Sequence, residues 1–164
     1  MPNTENIVIN TGPIIALVAA LGELKVLSSL YRKVLVPFEV IAELHAGGPK
    51  GFAVGEFEDA IWLVKWKNPL NISPILTNSL DIGEAAVIQL ALNEKVSTVC
   101  IDESRGRSMA RLSGLSITGS IGILLRAKKQ GYPITIQNSI KRMTERGIWL
   151  SEKVINFALK QAGE

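Results

Sequence analysis

Val99-Cys100-Ile101-Asp102-Glu103-Ser104 is a short apolar run that stops at a carboxylate, with Arg105 and Arg107 directly behind it. Near the N-terminus, Ile7-Val8-Ile9-Asn10-Thr11 has the same form, an apolar run ending on a polar side chain. Runs this short, apolar at successive positions, suit strands buried on both faces of a parallel sheet. Two such strands, each ending on a polar residue, define a crevice at the carboxyl edge, where open α/β sheets bind ligands. Asp102 at that edge is read as a desolvated carboxylate, which is costly unless it meets a cation or hydrogen-bond donors.

Moving outward, Thr11-Gly12-Pro13 turns the chain. Pro13 suits the first position of a helix through Ile14, Leu17, Val18 and Leu21, closed by Gly22. Glu23 to Leu30 reads as a second helix and Val34-Leu35-Val36 as a second strand. Pro37 then opens a helix with Phe38, Ile41 and Leu44 inward and Glu39 and Glu43 on another face. Gly47-Gly48-Pro49-Lys50-Gly51 has no capacity for regular structure. A helical turn at Phe57–Ile61 and a short strand Leu63–Trp66 come next, and no element is legible between Asn68-Pro69 and Asp81. Ile82–Asn93 has a helical period, Thr98–Ile101 is a strand, Glu103–Leu112 a helix, Leu115–Thr118 a strand and Gly119–Gln130 a helix. Strand and helix alternate, which implies an α/β protein with a parallel sheet covered on both faces. Ile134 onward differs: Ile136, Ile140 and Met143 form one helical stripe and Val154, Ile155, Ala158 and Leu159 another. Gly147 separates the two, and Ser151 is an expected N-cap. Residues 1–132 are therefore read as an α/β domain and 133–164 as a C-terminal helical hairpin packed on it.

The 164 residues favour one domain, and 47% hydrophobic with 20% charged residues argues against disorder. The longest apolar run, Pro13 to Leu21, is too short for a membrane span of about 20 residues, and Met1–Asn6 lacks the basic start of a signal peptide. The single Cys100 reads as a core residue without a disulfide partner, so a cytoplasmic location is expected. A net charge of +3 and a pI near 9.1 permit a polyanionic partner without requiring one. No glycine-rich phosphate loop follows the first strand, which weakens a nucleotide-binding reading.

Of the acidic residues, Asp81 and Glu84 have the D-x-x-E spacing of a capping box, and Glu43 by itself reads as a solvated helix residue. The order I-V-I-N-T-G-P-I-I-A-L, V-P-F-E-V-I-A-E-L, L-D-I-G-E-A-A-V-I-Q-L-A and V-C-I-D-E-S-R-G-R-S-M-A-R-L-S-G-L resembles a PIN domain. These are small α/β nucleases, many of them toxins of the VapC type. The similarity continues through T-G-S-I-G-I-L-L-R-A-K-K-Q-G to the tail L-K-Q-A-G-E, as in a branch with a C-terminal helical extension.

The resemblance implies a three-layer α/β/α fold with acidic residues gathered at the carboxyl edge, holding Mg²⁺ or Mn²⁺ for hydrolysis of RNA. Asn10 falls at the first acidic position, Glu43 at the second, Glu84 at the third and Asp102 at the fourth; Thr11 matches a hydroxyl that follows the first acid. Asp81 is a further candidate ligand. Hard, octahedral Mg²⁺ suits a few carboxylate oxygens plus waters. Asn10 is the departure, since an amide oxygen can ligate but brings no charge. It leaves open a weakened site, a role for Asp81, or a module that binds RNA or a protein without cutting. Arg105, Arg107 and Arg111 are expected to contact RNA phosphates, or else to form a solvated face or salt bridges to Glu103 and its neighbours. Lys128, Lys129, Lys141, Arg142 and Arg146 read as ordinary surface, His45 as exposed, and Trp62, Trp66 and Trp149 as packing residues. By resemblance, the partners are RNA, a second copy of the chain and a small antitoxin.

Overall fold

A computed structural model describes residues 5–47 and 51–164. Most of the Met1–Asn6 segment and the centre of the Gly47–Gly51 loop lie outside the described residues.

In chain order the elements are β1 (Asn6–Ile9), α1 (Thr11–Leu21), α2 (Lys25–Leu30), β2 (Lys33–Val36), α3 (Phe38–His45), α4 (Val54–Asp59) and β3 (Val64–Lys65). There follow α5 (Pro74–Ser79), α6 (Ile82–Asn93), β4 (Thr98–Cys100), α7 (Ser104–Leu112), β5 (Ser116–Thr118), α8 (Ser120–Lys129), α9 (Ile136–Glu145) and α10 (Glu152–Gln161). The five strands form one parallel sheet in the order β3-β2-β1-β4-β5, between helices on both faces in an α/β/α arrangement. Ile7, Val8 and Ile9 are wholly buried, as the central strand of a doubly covered sheet requires.

The order of the strands fixes where a ligand can enter. The chain runs outward from β1 to β2 and β3, then returns to lay β4 on the other side of β1. That reversal makes β1/β4 the topological switch point, where the crevice of an open α/β sheet lies. Ile9 pairs with Cys100 there, and the Asn10 N–H donates to the Cys100 carbonyl at 3.1 Å. The two strand ends that carry Asn10 and Asp102 are therefore neighbours.

Several expectations shift. Helix α1 begins at Thr11, so Asn10 is its N-cap and Pro13 its third residue rather than its first. Pro13 is tolerated because the opening N–H groups of a helix lack intrahelical partners anyway. Gly22, left-handed at φ 78°, ends α1 as expected. Helix α5 was not legible in the sequence. Glu39, on a face away from the inward apolar residues, is buried as well, and its Oε2 accepts the Leu70 N–H at 2.9 Å across 31 residues of chain. On α9 the stripe Ile136, Ile140, Met143 is buried and packs against α1 and α8. On α10, of the stripe Val154, Ile155, Ala158, Leu159, Ala158 alone is fully buried and Val154 is exposed. Ser151 caps α10 as expected, its Oγ accepting the Val154 N–H at 3.1 Å.

Candidate active site

Asn10 leaves β1 and caps α1 with its backbone, while its side chain makes no capping bond. An N-cap side chain normally accepts from the second or third helical N–H, and the third residue, Pro13, has none. The Asn10 Oδ1 is consequently buried without a partner, in a residue 7% exposed. The next residue, Thr11, is buried too, and its Oγ1 has no hydrogen-bond partner of ordinary geometry.

Glu43 approaches from α3 and Asp81 from the start of α6. All three meet around Gly83: a methyl group there would lie 2.7 Å from Glu43 Oε2, 3.3 Å from Asn10 Oδ1 and 3.6 Å from Asp81 Oδ1. The missing side chain at Gly83 is what leaves these oxygens room to converge. Asp81 also works as a cap, accepting the Glu84 N–H on Oδ1 at 2.9 Å. One half of the expected capping box is therefore made by a residue that also faces the site.

Glu84 is 5% exposed, and its Oε2 has no partner. It fits against α7 because position 106 is glycine; a methyl there would lie 2.5 Å from Glu84 Oε2 and 2.8 Å from Ile101 Cγ2. Burial, then the nearby Asp81 carboxylate and the Glu103 charge, raise the Glu84 pKa to about 7. Burial and Asp81 raise that of Glu43 as well, against the proximity of the Thr11 hydroxyl, which lowers it. Carboxylates that repel one another in this way are stabilised by a cation.

Asp102 behaves differently from the expectation. It is exposed rather than desolvated, and its Oδ1 accepts the N–H of Ser120, the first residue of α8, at 2.8 Å. A methyl at Gly119 would lie 2.5 Å from Asp102 Oδ1 and 2.9 Å from Arg107 Nη1. Arg107 is held by its Nη1 donating to the Ile101 carbonyl at 2.9 Å, which fixes a guanidinium beside Asp102. Arg105 and Arg111 are exposed, and among the described residues neither they nor Arg107 forms an ion pair.

The structure thus brings Asn10, Glu43 and Asp81 together around Gly83, with Thr11 next to Glu43, Glu84 reached through Asp81, and Asp102 and Arg107 at the adjoining strand end. Among the described residues no three carboxylate, His or Cys side chains converge as a closed metal cluster. The donor set nonetheless fits Mg²⁺ or Mn²⁺, which take one or two carboxylates plus waters rather than an all-protein cage. Two buried oxygens without partners, on Asn10 and Glu84, are the observation behind that fit. Sequence reasoning missed Glu103 as a neighbour of Glu84, and also the roles of Pro13, Gly83, Gly106 and Gly119. Their signal was adjacency: each glycine stands one or a few residues from an acid in sequence or across the edge.

Outside the site, His45 is half-buried, not free: its Nδ1 lies 3.0 Å from the Ile41 carbonyl and its Nε2 2.5 Å from Glu58 Oε1. Lys128 is likewise engaged rather than plain surface, donating to the Ala162 carbonyl and to Glu164 Oε2. Cys100 is wholly buried, and burial pushes its thiol pKa up, as for an inert core residue. Trp62 and Trp66 pack against the core, whereas Trp149 is 81% exposed and corrects the packing expectation for that residue. Among the described residues no helix is long and apolar enough to cross a membrane.

Compared with known families, residues 6–164 match a family model described as a PIN domain. No curated protein matches the chain.

Proposed function

The chain belongs to the PIN-domain family, whose members are generally nucleases using divalent metals, and from that premise we propose that it is a Mg²⁺- or Mn²⁺-dependent endoribonuclease. The observation that carries this reading is the pair of buried, unpartnered oxygens at the β1/β4 switch point, Asn10 Oδ1 beside Glu43 and Asp81 at Gly83, and Glu84 Oε2 against Gly106.

Asn10, Glu43 and Glu84 would hold the ion, with Asp81 as a further ligand through its second oxygen and Asp102 completing the acidic edge. When bound, the ion supplies a water of lowered pKa and neutralises charge developing on the phosphate. The Thr11 hydroxyl, next to Glu43, partly offsets the rise in its pKa. Arg107, fixed on the Ile101 carbonyl, presents its remaining N–H groups to a substrate phosphate, with Arg105 and Arg111 adding exposed positive charge along the same helix. Asp102 holds the N-terminus of α8 against the site through Ser120, and Gly119 gives it room. His45 plays no part, being engaged with Glu58.

We further propose that the chain is the toxin of a VapC-like toxin–antitoxin pair, works as a homodimer in the cytoplasm, and is restrained by a small antitoxin. In this reading, residues 1–132 are the nuclease domain and 133–164 an extension packed on it, supported by the burial of the α9 stripe against α1 and α8. A second reading, a PIN module that binds RNA or a protein without cutting, draws on two observations: Asn10 stands where an acid is expected, and among the described residues no three acids converge.

Incubating purified protein with an RNA pool distinguishes the two. The nuclease reading expects cleavage with Mn²⁺ or Mg²⁺, none in EDTA, and a loss of about a hundredfold or more in Glu84→Gln, since metal neutralisation of transition-state charge is worth several kcal/mol. Binding without cleavage at any metal concentration selects the second reading.

A further inference from the structure

The acidic edge opens into a groove of about 980 Å³ that runs from Asp102 and Arg107 to the C-terminal hairpin. Ile15 of α1, Leu125 of α8, Trp149 and Phe157 line it as well. Both aromatic side chains are open to solvent, Trp149 at 81% and Phe157 at 56%. Ile148 and Leu150, on either side of Trp149, pack against the core, so the backbone there is anchored while the indole is left out. Other rings are used inside the protein: His45 meets Phe57, and Lys65, Arg126 and Arg146 cover Phe57, Tyr31 and Phe52. Among the described residues neither Trp149 nor Phe157 has a ring or cation partner.

The following step rests on the nuclease reading. A strand whose scissile phosphate lies at Asn10, Glu43 and Glu84 must continue beyond the edge, and the groove is contiguous with that edge at Asp102. Its lining selects what part of the strand can enter. Among the described residues Arg107 is the one cation lining it, opposed by Asp102 and Glu103, so a run of phosphates is poorly matched. Aliphatic walls with an exposed indole suit the uncharged, flat face of a base. Base–aromatic stacking is worth about 1–3 kcal/mol per base, which corresponds to roughly 5- to 150-fold in affinity, and every base has a face to offer.

We propose that Trp149, in the wall of the groove, is a nucleobase-stacking platform that holds a base flanking the scissile phosphate. Arg107 then takes the phosphate between the platform and the acidic edge, and Phe157 borders the same space.

The test compares wild type, Trp149→Phe and Trp149→Ala for binding to a fluorescent single-stranded RNA and to the same strand without bases, in EDTA. Melting and gel filtration serve as controls. The expected result is about a tenfold weaker Kd for RNA in Trp149→Ala, retention of most affinity in Trp149→Phe, and no difference for the abasic strand. Indole emission is quenched by RNA and not by the abasic strand, and melting and elution are unchanged. Equal RNA affinity in Trp149→Ala, with the wild type still binding and cutting RNA, overturns the platform and leaves the nuclease reading standing. Equal losses for RNA and the abasic strand also overturn it, making Trp149 a backbone contact. An elution shift in Trp149→Ala assigns the groove to a contact between copies of the chain and overturns it likewise. Wild type that neither binds nor cuts RNA removes both readings.

Discussion

Pro13 releases Asn10. Three residues into α1, at the position whose N–H an N-cap side chain would engage, stands the one residue type with no N–H, and the Asn10 Oδ1 is left buried without a partner. The helix forgoes a cap worth about 1 kcal/mol, and the site gains an oxygen with nothing else to bind. An unpaired buried acceptor costs about 1–3 kcal/mol, so its persistence argues for a ligand that meets it.

Asn10→Asp should trade stability for affinity. A new carboxylate beside Glu43 and Asp81 adds repulsion in the metal-free protein and attraction for a cation. Melting in EDTA at pH 8 is expected to fall by about 1 kcal/mol or more, while the Kd for Mn²⁺ tightens by about tenfold. Unchanged Mn²⁺ affinity would place residue 10 outside the metal's reach.

Metal binding should stabilise the fold. A ligand at a hundred times its Kd contributes about 2.7 kcal/mol. In a domain of this size that corresponds to roughly 5–10 °C in Tm. Differential scanning fluorimetry with Mn²⁺, then EDTA, reads the rise and its reversal; Glu84→Gln should show little of either.

The pH dependence follows from Glu84, whose folded pKa of about 7 lies above the ordinary 4.5. Between those values the folded protein holds a proton that the unfolded chain has lost, so this residue's contribution to stability is full below about 4.5 and declines as pH rises through 7. Metal-free Glu84→Gln, which cannot ionise, should therefore be more stable than wild type at pH 8 and close to it at pH 5. Mn²⁺ binding near pH 6 should release protons, seen as a dependence of binding heat on buffer ionisation enthalpy.

Glu164 has the opposite sign. Its carboxylate accepts the Ile136 and Gln137 N–H groups at the start of α9 and pairs with Lys128, which together hold its pKa down to about 2. That clamp on the hairpin is present above pH 4.5 and is lost as pH falls toward 2. Glu164→Gln should melt below wild type at pH 7, with the gap closing in acid; a gap that persists at pH 2 would mean the charge is not what the clamp uses.

Gly106→Ala pits helix propensity against the site. On propensity, alanine inside α7 would stabilise by about 1 kcal/mol. The new methyl, however, meets Glu84 Oε2 and the fully buried Ile101, and overpacking of that kind costs about 1–3 kcal/mol. The expected outcome is net destabilisation with weaker Mn²⁺ binding. Stabilisation with unchanged binding would show that Glu84 moves aside freely.

The parts of this structure that were legible in the sequence are those written locally. Ile7–Ile9 and Val99–Ile101 announce buried strands because every residue in them is apolar, and their polar ends mark a crevice at the carboxyl edge. Ile82–Asn93 and Ile136–Met143 declare helices by period. What escaped depends on distant partners or on short range without a pattern. Helix α5 is six residues with no stripe to detect. Glu39 is buried because Leu70, far along the chain, supplies a donor. Asp102 was expected to be desolvated, but the Ser120 N–H that engages it leaves it at the surface. Trp149 looked like packing, since composition says nothing of which face of a loop meets water. The convergence at Gly83 is a three-dimensional fact, visible in the sequence only as a glycine between two acids, Asp81 and Glu84.

The most direct test is calorimetric titration of Mn²⁺ into metal-free wild type and Glu84→Gln at pH 7.5. Saturable binding by the wild type, weakened at least tenfold in Glu84→Gln while the variant stays folded, is the result expected of a divalent-metal site at this edge. No binding by the wild type, or equal binding by both, would contradict it.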